Sequence, residues 1–259
     1  MKLAIAFVQV ATAASVAHAG PLIVDNSFYV EEAYNQEAGV VQHIQQLQLD
    51  PKTKAWAYLL TTEWPASDQL NQLSVSVPIN HDPDGTGIGD VMINYRRELL
   101  RLPEDKVIVT PRFSLWLPTG DAAMARGAGV AGIQAQACVS FLPHSSIAFH
   151  SNLGVTAPLT TDASGDTAFL LGQSVIWFVH DRLNIMAEAA ATVPAVDDAD
   201  ASRTLILSPG LRTALDFDSG LQIVPGAAVP LILEDDARSW GVLFYVSIEH
   251  PMPGMKKGS

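Results

Sequence analysis

Cysteine is almost missing from this chain: Cys138 stands alone, so no internal disulfide framework can staple the fold. Charge is sparse as well. Only 16% of the 259 residues are charged, and basic residues are the scarcer kind, 15 against 27 acidic, for a formal net charge of -12 and a pI of about 4.8. A nucleic-acid partner is thereby excluded, because phosphate recognition needs a basic patch. No Lys/Arg cluster marks a site for anionic lipid headgroups either; Lys256 and Lys257 are too few. Beyond the first 19 residues no apolar run reaches the roughly 18 residues of a helical membrane span. No Gly-x-Ser-x-Gly elbow occurs.

What remains is strongly apolar: 48% hydrophobic residues and a mean hydropathy of +0.20 exclude a disordered chain. With helical spans absent, that hydrophobicity belongs in a core or on a barrel wall. At the start, Met1 and Lys2 precede an apolar run over 3–16, and Ala17-His18-Ala19 before Gly20 has the small-x-small form of a cleavage site. Residues 1–19 therefore read as a signal peptide for export, with a retained anchor as the alternative. Residues 20–38 carry Glu31, Glu32 and Glu37 with little alternation, and read as an N-terminal arm or plug, or else as a flexible leader.

The plainest structural signal lies in 203–250. Leu205, Leu207, Pro209, Leu211, Thr213 and Leu215 form one row of alternate residues, and Thr204, Ser208, Gly210, Arg212 and Ala214 the other. The same period returns from Leu221 to Leu233 and from Trp240 to Ile248. Soluble strands average about 5 to 6 residues, whereas a tilted strand crossing a bilayer needs about 9 to 11. Nine further segments read the same way: 39–49, 54–64, 71–80, 89–99, 106–117, 129–141, 146–156, 167–179 and 183–193. Together they make about twelve strands over 39–250, followed by a tail at 251–259.

The connections fall into two alternating series. Those at 65–70, 101–105, 142–145, 180–182 and 216–220 are short. Those at 81–88, 118–128, 157–166 and 194–202 are long, with the shorter 51–53 and 234–239 on the same side. Outer-membrane barrels sort their loops in this manner; soluble sandwiches have no reason to. Val75, Val77, Phe113, Leu115, Leu153, Val155, Val175 and Trp177 belong to the row expected to face lipid. Aromatic residues Trp56, Tyr58, Trp64, Tyr95, Trp177 and Trp240 fall near strand ends, where interfacial girdles lie.

The opposite row is polar and holds the candidate functional residues: Glu63, Arg96, Glu98, Arg112, Gln134, Gln136, His150, Asn152, Glu188 and Arg212. Opposite charges across a narrow lumen are expected to pair. The set reads either as an ionic network stiffening the barrel or as the lining of a solute path.

Other constellations carry less. The alternate carboxylates and glycines from Asp82 to Asp90 suggest a calcium loop, but Ile93 stands where an EF-hand needs its twelfth-position Glu, so a plain turn is the alternative. Acidic residues Asp121, Asp162, Asp166, Asp197, Asp198, Asp200, Asp235 and Asp236 gather in the outer connections. They form a solvated rim or bridge to lipopolysaccharide through divalent cations. His150 and Ser151 point to opposite faces of one strand, while His144 and Ser146 share a face at a short turn, so neither pair reads as a catalytic site.

Gly87-Ile88-Gly89-Asp90 leading into one strand and Leu117-Pro118-Thr119-Gly120-Asp121 closing another resemble motifs of the outer-membrane proteins grouped as the MetA-pathway of phenol degradation family. The leader from Glu31 to Glu37, with Val40-Val41-Gln42-His43, is similar to that of a subgroup. The resemblance implies an outer-membrane barrel passing small, often aromatic or hydrophobic compounds, related in form to long-chain fatty acid transporters. Ser239, Gly241, Phe244 and Val246 also resemble the sorting signal read by barrel-assembly machinery, although the chain continues past it.

The expectation is an all-β, transmembrane, antiparallel up-and-down β-barrel of about twelve strands with a short N-terminal arm or plug. It sits in the outer membrane and admits a small hydrophobic solute passively, without cofactor, metal or catalytic residue. Its expected partners are outer-membrane lipid, lipopolysaccharide, and the assembly machinery during biogenesis, and no nucleic acid. Alternatives are a non-transporting structural or adhesive barrel and a barrel lipid hydrolase.

Overall fold

The computed structural model describes residues 23, 26–160, 167–196, 203–235 and 237–253. The expected signal peptide and most of the tail lie outside them, as do Asp162, Asp166, Asp197, Asp198, Asp200 and Asp236.

Twelve antiparallel strands follow one another around a closed barrel. They are β1 (Val40–Leu49), β2 (Trp56–Pro65), β3 (Asn71–Asp82), β4 (Gly85–Ile88, Val91–Arg97 and Leu100–Arg101), β5 (Val107–Leu117) and β6 (Gly132–His144). Then come β7 (Ile147–Pro158), β8 (Ala168–His180), β9 (Leu183–Pro194), β10 (Thr204–Thr213 and Leu215–Asp216), β11 (Gln222–Ala228 and Leu231–Glu234) and β12 (Ala237–Trp240 and Val242–Pro251). Each strand pairs with its sequence neighbours, and β12 pairs with β1 from Val40↔Pro251 to Leu49↔Val242. That last ladder removes the free edge that an open sheet would present.

Several boundaries depart from the sequence reading: the strand expected over 129–141 runs from Gly132 to His144, and the largest departure is at 81–88. Residues 81–88 are not a long loop: β3 and β4 continue as a hairpin to Asp82↔Gly85. Asp82, Pro83 and Asp84 looked like loop composition, but they supply the tight turn, with Asp82 accepting from the Asp84 amide at 2.9 Å.

Alternation sorts the wall. Phe113, Leu115, Leu153, Val155, Val175, Trp177, Leu205, Leu207, Leu211 and Phe244 are exposed on the outside. Trp56 and Trp240 stand at the long-connection end of their strands, Trp64 and Trp177 at the short-turn end. The interior divides in a way that the polar row did not announce. Along β7 to β12, an apolar cluster of Ala148, Ile176, Phe178, Met186, Ala214, Val224, Leu243 and Tyr245 packs with Ile23 and Phe28 of the N-terminal segment. Buried polar residues line both sides, with Gln72, Asn94, Arg96 and Thr110 on β3 to β5 and Asn152, Glu188 and Arg212 on β7 to β10.

Closure has a measurable consequence. Unboiled protein in cold detergent is expected to migrate faster than boiled protein on a gel. Leu153→Arg, at the middle of the outward face of β7, is expected to cost about 2–4 kcal/mol for refolding into lipid vesicles. Loss of less than half a unit of that scale on urea titration would show that this face does not meet lipid.

Candidate functional site

The lumen is occupied by the chain's own N-terminal arm, residues 26–38, which reaches β1 through Gly39 in the left-handed region (φ 76). A side chain there would be strained, and the reversal is held by the Met252 amide donating to the Gly39 carbonyl at 2.7 Å. Little of the arm pairs as a strand. Its backbone groups are met instead by side chains of the wall, strand after strand. Glu188 on β9 accepts from the amides of Phe28, Tyr29 and Val30 at 3.2, 2.9 and 3.0 Å. Asn152 on β7 accepts from the Glu31 amide at 2.7 Å and donates to the Glu31 carbonyl at 2.8 Å. Ser140 on β6 accepts from the Ala33 amide at 2.8 Å, and Thr110 on β5 donates to the Ala33 carbonyl at 2.6 Å. Gln72 on β3 accepts from the Gln36 amide at 2.7 Å and donates to Glu63 at 2.8 Å.

Shape follows the same route. A Cβ on Gly210 or Gly226 would lie 2.7 or 2.8 Å from the Phe28 ring, and one on Gly172 would lie 3.2 Å from Val30. Wall glycines on β8, β10 and β11 therefore make the hollow that the arm fills. Phe28 also packs on Tyr245, with ring centroids 5.1 Å apart.

Charge pairing centres on the arm rather than only across the wall. Arg112 pairs with Glu31, and the Arg96 Nη1 lies 4.0 Å from the same carboxylate. Arg96 donates to the Glu32 carbonyl. Arg212 bonds the Glu32 carboxylate at 3.0 Å and the Asn26 carbonyl at 2.8 Å, and Ser27 donates to Glu32 at 3.2 Å. Of the sequence-predicted residues, Arg96, Arg112, His150, Asn152, Glu188 and Arg212 all meet the arm. Gln134 accepts from Arg112 at 3.4 Å and donates to Gln136 at 3.1 Å, which continues toward Cys138. Glu98 stands apart at the short-turn end, bound to Arg101 at 2.6 and 2.9 Å.

Sequence reasoning left out Glu31 and Glu32 as site residues, although their position in an unalternating segment ahead of the first strand was visible. Ser140, on the same polar inward row, was not among the candidate site residues either. The β6–β7 register places Ser140 opposite His150, whose Nδ1 lies 2.7 Å from the hydroxyl, with Glu32 3.8 Å from Nε2. Serine, histidine and carboxylate thus gather. Yet the hydroxyl is buried and already accepts the Ala33 amide, and 3.8 Å is beyond hydrogen-bond reach.

At the opposite end of the barrel, the two glycine-rich motifs meet. Asp90 accepts from the amides of Gly120 and Ala128 at 2.9 and 2.7 Å. Thr119 donates to the Gly89 carbonyl at 2.8 Å and accepts from the Val91 amide at 2.9 Å. Arg126 lies over Gly87, where a Cβ would come within 2.7 Å of its side chain, and binds Asp82 at 3.1 Å. A guanidinium therefore takes Asp82, the first of the carboxylates read as a calcium loop. Among the described residues no group of three or more His, Cys, Asp or Glu could hold a metal ion.

No protein-family model matches the chain, and no curated protein does. Solved structures do. The COG4313 outer membrane channel from Pseudomonas putida F1 aligns with a TM-score of 0.63 at 13% identity, covering 88% of this chain and 99% of that one. The NanC porin aligns with a TM-score of 0.58 at 9% identity over 81% and 100%, and the KdgM porin with 0.53 at 8% over 82% and 99%. At these identities the likeness establishes the fold: a closed antiparallel barrel of twelve strands.

Asp90 is the anchor of the 118–131 connection. Asp90→Ala removes two hydrogen bonds at a solvent-accessible site, about 1 kcal/mol each and together about 2 kcal/mol. Trypsin cleavage after Arg126 in the folded, detergent-solubilised barrel is expected to accelerate roughly thirtyfold. An unchanged cleavage rate would show that the connection is held by other contacts.

Proposed function

We propose that the chain is an outer-membrane channel through which small molecules move passively, with the arm of residues 26–38 as its movable gate. The carrying observation is that the arm is held by wall side chains. Glu188, Asn152, Ser140, Thr110 and Gln72 bind its backbone, so its departure breaks no ladder of the barrel. In a lumen that admits water, these side chains and the arm amides are both resolvated on release. The likeness to channels and porins supports this reading.

Several parts of the reading go together. The outward apolar row meets outer-membrane lipid, with lipopolysaccharide around the long connections. The short turns, with the start of β1 and the end of β12 beside them, face the periplasm, and the assembly machinery inserts the chain. The solute has a small apolar or aromatic body, in keeping with the resemblance of the Gly87–Asp90 and Leu117–Asp121 motifs to those of the phenol-degradation outer-membrane group. Beyond the arm, the inward rows toward the long-connection end include Leu170, Ile206, Met92 and Trp116, which offer such a body an apolar surface. Trp116 lies against Gly132, whose added Cβ would fall 1.7 Å from the ring, and donates to the Val130 carbonyl at 3.2 Å. Catalysis is the weaker reading, because the Ser140 hydroxyl is engaged by the arm.

Ala33 packs against Cys138 in one buried cluster with Ile108. Ala33→Cys is therefore expected to form a disulfide that fixes the arm. In planar bilayers the oxidised variant should conduct no more than protein-free membrane and regain full conductance on reduction. Wild type, with Cys138 alone, should ignore the oxidant. Equal conductance of oxidised and reduced Ala33→Cys would exclude a moving arm.

A further inference from the structure

Arg96 and Arg112 stand directly opposite each other on β4 and β5, both inward. Directly opposed side chains on neighbouring strands have Cβ atoms about 4.5–5.5 Å apart, and like charges at that position repel. Burial sharpens the repulsion: Arg96 is 2% exposed, and Arg112 is 14% exposed in its side chain. A pair of this kind persists only with an anion between its members. The anion present is the Glu31 carboxylate, which pairs with Arg112 and lies 4.0 Å from Arg96. It comes from the arm, not from the wall. Among the described residues, Arg96 Nε and Nη1 and Arg112 Nε have no hydrogen-bond partner, so donors remain beyond those that the arm uses. Other carboxylates nearby are engaged elsewhere: Glu188 by three arm amides, Glu98 by Arg101.

We propose that the Arg96–Arg112 pair is a binding seat for the carboxylate of a small organic acid, a seat that Glu31 occupies while the arm is docked. This rests on the channel reading and names its solute class: an apolar or aromatic body carrying a carboxylate. Paired guanidinium groups suit a planar carboxylate, which can accept from both. The solute competes with Glu31 for the same donors, so its binding favours the undocked arm. Trp116 lies on the same inward row of β5, four residues toward the long-connection mouth, and gives the apolar body a surface on approach.

The test is chemical rescue in the detergent-refolded full chain. Glu31→Ala empties the seat, and the folded fraction against temperature is read by heat-modifiability gel. Acetate at about 100 times its Kd should raise the midpoint by about 5 °C. Acetamide, of the same shape without charge, should not, and Glu31→Ala/Arg112→Gln should lose the response. If Glu31→Ala does not fold, Glu31→Gln takes its place, because the amide cannot neutralise the pair and acetate must still restore stability. In liposomes, benzoate flux through wild type should exceed benzyl alcohol flux above the protein-free background, and Arg112→Gln should abolish the difference. A conducting protein whose Glu31 variants ignore acetate, or answer acetamide equally, overturns this inference and leaves the channel standing. Acetate rescue in a protein that passes no solute overturns the channel reading and, with it, the solute role of the seat.

Discussion

The ladder between β1 and β12 is the constraint on which everything else depends. Its ten register pairs turn a sheet into a cylinder, and a cylinder gives every strand two neighbours, so no row of backbone donors and acceptors is left at an edge. Once closed, the wall has only an outside and an inside. The period of two then forces each segment to choose which row meets which side. Leu153 and Leu171 face outward across neighbouring strands, while Asn152 and Gly172 face the arm. A slip of one residue in either strand would exchange them.

A wall of this circumference leaves a narrow interior, and the chain fills part of it with itself. The fit is partly steric and partly chemical. Toward β10 and β11, glycines leave room for Phe28, and apolar residues cover Ile23 and the ring. On β4 and β5, Arg96 and Arg112 meet the carboxylate of Glu31, and on β10 Arg212 meets that of Glu32. Each half explains residues that would otherwise destabilise a barrel: glycines within strands weaken them, and buried arginines without partners are costly. Arm and wall are therefore complementary parts of one interior.

Much of this was legible in the sequence, for identifiable reasons. Strands that meet lipid on one face must alternate over about ten residues, and the three segments within 203–250 do so. Sorting of the connections into short and long gave the topology. The 81–88 segment misled because Asp-Pro-Asp-Gly is loop composition wherever it stands, and only the register shows that it sits at the tip of an extended hairpin. Within the lumen, period and charge picked out Arg96, Arg112, Glu188 and Arg212, but not their partners. Glu31 lies 81 residues from Arg112 in the chain, and nothing local ties an unalternating segment to a particular depth of the barrel. The Ser140 and His150 contact was hidden for a related reason: it depends on the β6–β7 register, which no propensity encodes. The glycine hollow was equally unreadable, since Gly172, Gly210 and Gly226 are ordinary in a strand pattern until Val30 and Phe28 are placed against them.

How the arm is held bears on what the barrel can do. A plug that extended the sheet would share the ladder's cooperativity, and removing it would reopen an edge. Here the amides of residues 28–31, 33 and 36 go to carboxylate, amide and hydroxyl side chains instead. Those groups are satisfied by water once the segment leaves, whereas the twelve-strand ladder never loses a partner. Stability of the wall and occupancy of its interior are thus separate quantities, set by different bonds. The opposed arginines are the exception, because water screens like charges at that distance less well than a carboxylate neutralises them. It follows that one preference for a filled lumen resides where β4 faces β5, beside that of Arg212 for Glu32, and that whatever occupies the lumen there must answer the charge.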